Sequence, residues 1–334
     1  MIGVIVAAVV VVLLVVVGFA TNGFGLGGVQ PKEAVDVPVA AQGTQTGGEE
    51  ASADNGDAPS ADGQEDDQAA AAGAAVKSAV EAYTWDELSQ ISAEIAAAGD
   101  EAAGIEVAKK YNLCTPDGKL DGTQVKSVTL ANGRPVTVQI IGFNHDNRTD
   151  GEKSGITFAF ADTVTMEDME MNSSDTNAGG WAASEMRSYL NSEGMALLPQ
   201  ELADRIVEVD KLTNNIGETE DPAAVSATSD KLWLLSAVEL CETPVWYSGD
   251  RSIYNNVLKA EGSTYKLYRD MAVTLSPGNE ILVKVNFAKT PWGWWGRSPY
   301  PGFLNNFLYV STDGFPDLGL NASNQAGVVP AFCI

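Results

Sequence analysis

The spacing of apolar and polar positions divides the chain into stretches that obey different rules. Met1 to Ala20 is apolar without interruption and dominated by valine. Those 20 residues would reach roughly 30 Å as a helix, the thickness of a bilayer core. No Lys or Arg precedes the run, and it is longer than the apolar core of a signal peptide. Residues 1–20 are therefore expected to be a transmembrane anchor. The alternative is a signal segment cut after Gly18-Phe19-Ala20. Beyond it the pattern vanishes, and Gly43 to Gln68 holds eight acids and no base. A tract with so little to bury and so much like charge stays extended. Residues 21–76 are expected to be a disordered acidic linker.

Helical spacing then begins. Thr84 and Glu87 make a capping box, and Tyr83 and Leu88 can form a staple across it. Trp85, Leu88, Ile91 and Ile95 recur on one face until Gly99 ends the run. Asp100 opens a second helix to about Asn112, so residues 77–113 read as a helical preface. From Gln124 the period becomes two. Val125–Leu130 and Pro135–Ile141 flank Asn132-Gly133, a strong hairpin signal, and Gly155–Phe160 reads as a third strand. Trp181–Leu190 reads as one helix, Pro199–Leu202 as a helical turn and Arg205–Val209 as a strand. Lys231–Leu240 fits either strand or helix. The later apolar runs, Ile281–Phe287, Phe307–Thr312 and Gly327–Phe332, are short and separated by Gly, Pro, Asn and Asp. The pattern over 114–334 is α+β, with short antiparallel strands, few helices and long loops.

One stretch fits neither period. Pro291-Trp-Gly-Trp-Trp-Gly-Arg-Ser-Pro-Tyr300 mixes large aromatics with residues that break helices and weaken strands, which excludes a regular helix or a central strand. Such aromatics either close a core or floor a binding site. As a site, Trp292, Trp294, Trp295 and Tyr300 would offer ring faces, while Arg297, Asn305, Asn306 and Asp313 would add directional hydrogen bonds. Trp181, Trp233 and Trp246 read as core.

Charge narrows the partners. The chain of 334 residues carries a formal charge of −25, which argues against nucleic acid and anionic lipid surfaces. The three cysteines, Cys114, Cys241 and Cys333, form no CxxC pair. One disulfide with a thiol left over and three buried thiols both fit. The single histidine, His145, limits catalysis, since any Ser–His or Cys–His pair must use it and no Gly-x-Ser-x-Gly elbow is present. His145 and Asp146 are expected to be structural, with an enzyme centred on them as the alternative. The loop Asn144–Glu152 is rich in oxygen, and Asp146, Arg148 and Asp150 follow the opening of a calcium loop. However, Arg148 is a cation and the twelfth position is Thr157, so no EF-hand is present. Calcium held in another arrangement is the one cofactor the loop leaves room for. No His/Cys cluster supports zinc, and no phosphate-binding glycine loop is present.

Several segments occur in a characteristic order: Ile140-Ile-Gly-Phe-Asn-His-Asp146, Thr176-Asn-Ala-Gly-Gly-Trp181, Ser184-Glu-Met-Arg187 with Tyr189-Leu-Asn191, Lys231-Leu-Trp-Leu-Leu-Ser236, Trp295-Gly-Arg-Ser-Pro299 and Gly327–Ile334. Together they resemble a domain family of unknown function from bacterial surface proteins, mostly of gut-dwelling Gram-positive organisms, over roughly Gln124–Ile334. That family is in turn similar to a divergent C-type-lectin-like fold, shared by formylglycine-generating enzymes and retroelement-diversified receptors. The resemblance implies a C-type-lectin-like domain whose second half is loop-rich and whose final strand pairs near the domain's start. It also implies structural roles for Trp181, Arg187 and Trp233. No Glu-Pro-Asn triplet and no nearby cysteine pair is present, so the resemblance brings neither calcium-dependent sugar binding nor copper oxidase chemistry. The expectation is a single-pass, membrane-tethered extracytoplasmic module, secreted if residues 1–20 are cleaved. It would bind a glycan, peptide or surface protein through the Trp-rich stretch without catalysis. A purely structural envelope protein is the other reading.

Overall fold

The computed structural model describes residues 73–164, 168–242, 252–316 and 318–334. The apolar segment 1–20, most of the acidic linker and Trp246 lie outside these residues. Among the described residues no helix is long and apolar enough to cross a membrane.

The capping box closes as its sequence requires: Thr84 Oγ1 accepts the Glu87 N–H, and the Glu87 carboxylate accepts the Thr84 N–H. It starts α1, Trp85–Ala97, and Asp100 caps α2, Glu101–Lys110. The strands β1 (Val125–Thr129), β2 (Pro135–Phe143) and β3 (Ile156–Phe160) pair antiparallel in sequence, with a bulge in β2 between Ile140 and Gly142. Where the pattern predicts one helix from Trp181, two short ones form, α3 (Gly180–Ala183) and α4 (Glu185–Tyr189). Ser184 stays extended between them and its hydroxyl accepts the Arg187 N–H, ending one helix and capping the next. A one-turn α5 (Gln200–Ala203) follows Pro199.

A hairpin of β4 (Val209–Asn214) and β5 (Val225–Asp230) comes next. The expected strand at 205–209 shares only Val209 with it. Three short helices follow: α6 (Ala237–Leu240), α7 (Ser252–Lys259) and α8 (Lys266–Asp270). Lys231–Leu240 is therefore mostly irregular, with α6 at its end. The chain finishes with β6 (Lys284–Val285), β7 (Pro291–Trp292), β8 (Trp294–Pro299), β9 (Asn306–Val310), β10 (Leu318–Asn321) and β11 (Ala331–Cys333). The larger sheet has the order β1-β2-β3-β11, and a second sheet the order β10-β9-β8. The fold is mixed α and β, with antiparallel sheets and few, short helices.

The aromatic stretch is a strand, and its six residues in β8 are all buried. Three features reconcile it with its prolines and glycines. β8 lies at the edge of its sheet, its pairing with β9 slips between Trp295 and Pro299, and Pro299 falls at its end. Its free edge is covered rather than exposed, because the Trp295 N–H reaches the Gly327 carbonyl and the Arg297 N–H reaches that of Leu235.

The helical preface belongs to the core. Trp85 meets Phe158 edge-on at 5.6 Å between ring centroids and Phe332 at 6.3 Å. Ser92 of α1 accepts the Ile156 N–H at 2.8 Å and donates to the Ile334 carbonyl. Gly155, at φ +80°, allows that approach, since a Cβ there would collide with the Ser92 backbone. Asn144 Nδ2 donates to the Ile95 carbonyl at 2.6 Å. α1, the loop before β3 and the chain's last residue are thus stitched together by side chains.

Candidate functional site

Two features of the described residues concentrate chemistry: a buried ionic cluster and an open acidic cleft. The cluster arises because β4 turns polar side chains inward. Lys211 and Thr213 are buried there, while Leu212 on the opposite face is exposed. The Lys211 ammonium lies 2.5 Å from Asp146 Oδ1 and 2.6 Å from Glu239 Oε1, with side chains only 4%, 2% and 2% exposed. The Asp146 carboxylate is surrounded by donors. Thr157 Oγ1 stands at 2.7 Å, the Tyr265 hydroxyl at 2.9 Å from both oxygens, and Cys333 Sγ at 3.5 Å. Trp233 closes the other side, with Lys211 Nζ 4.8 Å from its ring centroid.

Arg297, reaching in from β8, uses its whole fork. Nε donates to Thr213 Oγ1 at 2.7 Å, Nη1 to the Leu234 carbonyl at 2.9 Å and to Glu239, and Nη2 to the Leu212 carbonyl and Glu239 Oε1 at 3.0 Å. Burial opposes every charge here, but the opposite charges outweigh it: Lys211 and Arg297 are held above their ordinary values, and Asp146 and Glu239 below theirs. His145 is half-buried against Tyr265, ring centroids 3.9 Å apart, and burial lowers its pKa. His145, Asp146 and Glu239 bring potential ligand atoms within 4.8 Å of one another. A divalent ion would have to share that space with the Lys211 ammonium, which already bridges both carboxylates, so the donor set does not fit a metal. In the neighbouring loop, Asp150 pairs outward with Arg148 while Asp146 turns inward, and the two do not converge.

One carboxyl in the cluster behaves differently. Glu261 accepts the Asn214 N–H at 2.9 Å and the Ser298 hydroxyl, and burial pushes it up to about 7 despite Arg297. A group with a folded pKa above its unfolded value of 4.5 binds its proton more tightly when folded. Its stabilisation is complete below the unfolded value and lost as pH rises through about 7, a difference of about 3 kcal/mol. His145, lowered from 6.5, runs the other way and loses its contribution as pH falls. Urea unfolding at about pH 5 and about pH 8 should therefore show native chain losing about 2–3 kcal/mol more than Glu261→Gln over that interval. Parallel profiles for the two proteins would refute the assignment.

The structure separates the residues that the aromatic stretch groups together. Trp294, Trp295 and Arg297 are fully buried and cannot form a solvent-facing platform. The indole N–H of Trp294 donates to the Leu282 carbonyl at 3.0 Å and that of Trp295 to the Met169 carbonyl at 2.7 Å, so both are bound into the core. Trp292 is half-buried on β7, and Asp313 sits in an exposed turn bonded to Ser311 and Gly278. The residues kept together are Tyr300, Asn305 and Asn306, where the Tyr300 N–H meets the Asn306 carbonyl at 2.8 Å and Asn305 Nδ2 meets Asp175 at 2.8 Å. Trp181 and Arg187 converge on buried Asp230, at 3.0 and 2.6 Å. Cys114, Cys241 and Cys333 are all buried.

Asn305 lies beside the second feature, a cleft of about 980 Å³ between the loops at 175–178, 216–222 and 302–304. Asp175, Glu218, Glu220 and Asp221 line it without a facing base, and Ile216 and Leu304 stand 61% and 67% exposed on its walls. The loops are pinned to one another. Asn177 Nδ2 holds the carbonyls of Phe303 and Asn306 at 2.7 and 3.0 Å. The Gly302 N–H meets the Glu218 carbonyl at 2.9 Å, and Asn214 Nδ2 holds Gly217 at 2.6 Å. These acids escape sequence reasoning because acids are common throughout the chain; the Asn-rich turns that pin them are the only local signal.

Residues 154–334 match the family described as a domain of unknown function (DUF6273), which is more than half of the chain, and the chain belongs to that family. No curated protein and no solved structure matches it. The matched segment opens just before β3, so β1, β2 and Asp146 precede it while sharing its sheet and its ionic cluster.

Proposed function

We propose that the chain is a non-catalytic, extracytoplasmic binding module, tethered by residues 1–20 and held off the membrane by the acidic linker. Its ligand is a peptide, or a segment of a surface protein, that is both cationic and apolar, and its site is the cleft rather than the aromatic stretch. The observation that carries this reading is the cleft's composition. Pinned loops hold four acidic side chains and two exposed apolar ones around one opening, a surface that suits a lysine- or arginine-bearing segment with an aliphatic anchor. Against the opposing enzyme reading, four donors occupy the Asp146 carboxylate. A C-type-lectin-like relationship is part of the proposal, and what supports it is the pairing of β11 with β3 and the loop-rich second half.

A fluorescent peptide alternating Lys and Leu tests the site by anisotropy. Binding is expected to weaken as salt rises and to fall at least about tenfold in a Glu218→Lys, Glu220→Lys, Asp221→Lys variant, since each tenfold is only about 1.4 kcal/mol. All three positions are half or fully exposed, so folding should survive. Equal binding by native and variant chains would reject the cleft. No binding to either would favour the structural envelope reading.

A further inference from the structure

The ionic cluster holds a primary amine, a carboxyl carbon's oxygen and a second carboxylate in reacting contact, shut away from water. Lys211 Nζ stands 2.5 Å from Asp146 Oδ1 and 2.6 Å from Glu239 Oε1. Two hydroxyls, Tyr265 and Thr157, already bond the Asp146 carboxylate at 2.9 and 2.7 Å. Trp233 and Tyr265 present their rings to the amine, at 4.8 and 5.4 Å from the centroids. The charges also show an unusual accounting. As it stands, two cations, Lys211 and Arg297, face two anions, Asp146 and Glu239. If the first cation and first anion were both consumed, Arg297 and Glu239 would remain as a complete pair, joined through two guanidinium nitrogens.

We propose that Lys211 and Asp146 condense to an intramolecular amide, with Glu239 as the proton relay. Glu239 takes a proton from the Lys211 ammonium and passes it to Asp146, turning the ion pair into a neutral amine and a neutral acid. Nζ then attacks Cγ of Asp146, forming the C–N bond. The tetrahedral oxyanion is met by the Tyr265 and Thr157 hydroxyls. Glu239 accepts a second amine proton and delivers it to the departing hydroxyl, and the C–O bond breaks. One water leaves, no redox partner is needed and the net charge of Lys211, Arg297, Asp146 and Glu239 together stays zero throughout.

Two physical terms favour the step. Holding the reactants in contact replaces a collision with a unimolecular reaction. The product also exchanges two desolvated charges for a neutral amide, which removes the cost of keeping an ion pair out of water. The same contacts that favour the charged pair make Glu239 indispensable, because without a relay the amine keeps its proton. Arg297 acts as a positioning residue that keeps Glu239 turned toward Lys211. The bond would join the loop after β2 to β4, fastening the part of the chain that precedes the family segment to the segment itself.

Mass spectrometry of the purified full chain decides the matter without any variant. The expected result is an intact mass lower than the sequence by one water. After digestion, a branched peptide should join the fragments carrying Asp146 and Lys211. Glu239→Gln and Lys211→Arg should both return the mass to that of the sequence. A native chain with the full sequence mass, or a water loss located at any other pair of residues, would overturn the proposal.

Discussion

Replacing Arg297 by alanine is expected to destabilise the fold by about 3–5 kcal/mol, a large part of the total stability of a domain this size. The reason is the company the side chain keeps. Its five N–H groups reach Thr213, Leu234, Leu212 and both oxygens of Glu239, and Thr213, Leu234 and Glu239 are buried. Removing the guanidinium leaves Glu239 with the Lys211 ammonium and the Ser236 N–H, and strips Glu261 of a neighbouring cation. Lysine cannot rescue it, because an ammonium reproduces the charge but not the planar fork. Urea unfolding of Arg297→Ala and Arg297→Lys should show both midpoints falling strongly. A lysine variant with native stability would mean that charge alone is what the site needs.

The second large effect is at Trp295. Truncation to alanine removes a fully buried indole that packs edge-on against Tyr309 at 6.3 Å and leaves the Met169 carbonyl with only the Ala326 N–H of its two donors. The expected loss is about 3–5 kcal/mol. Trp292→Ala, made on a half-exposed residue three positions earlier, should cost about 1 kcal/mol or less. The contrast is diagnostic: a ligand-facing platform would make both substitutions mild for folding. If thermal or urea midpoints of the two variants fall together, the division between core and surface along this stretch is wrong.

What could be read in advance depended on how local its cause was. The Thr84–Glu87 box and the Asn132-Gly133 turn are decided within a few residues, and both stand where the sequence puts them. The single helix expected from Trp181 failed for an equally local reason, the competing hydroxyl of Ser184. The aromatic stretch could not be placed, because its strand character depends on a slipped pairing with β9 and on covers supplied by Leu235 and Gly327. β4 was missed because its alternation is inverted: Lys211 and Thr213 point inward and Leu212 outward. Period two with polar residues on the inner face is the signal that would have located the cluster. The cleft had no such signal, since its loops meet only after the chain has folded.

The position of β11 has a consequence for the order of events during synthesis. Phe332 stacks on Phe158 at 5.5 Å and touches Trp85, and β11 pairs with β3 from the far end of the sequence. A chain emerging from its N-terminus must therefore carry β3 with an unpaired edge, and α1 without the Phe332 side of its apolar cover, until β11 has been made. Contacts so distant in sequence slow folding. They also make the newly made chain depend on whatever shields that edge in the meantime.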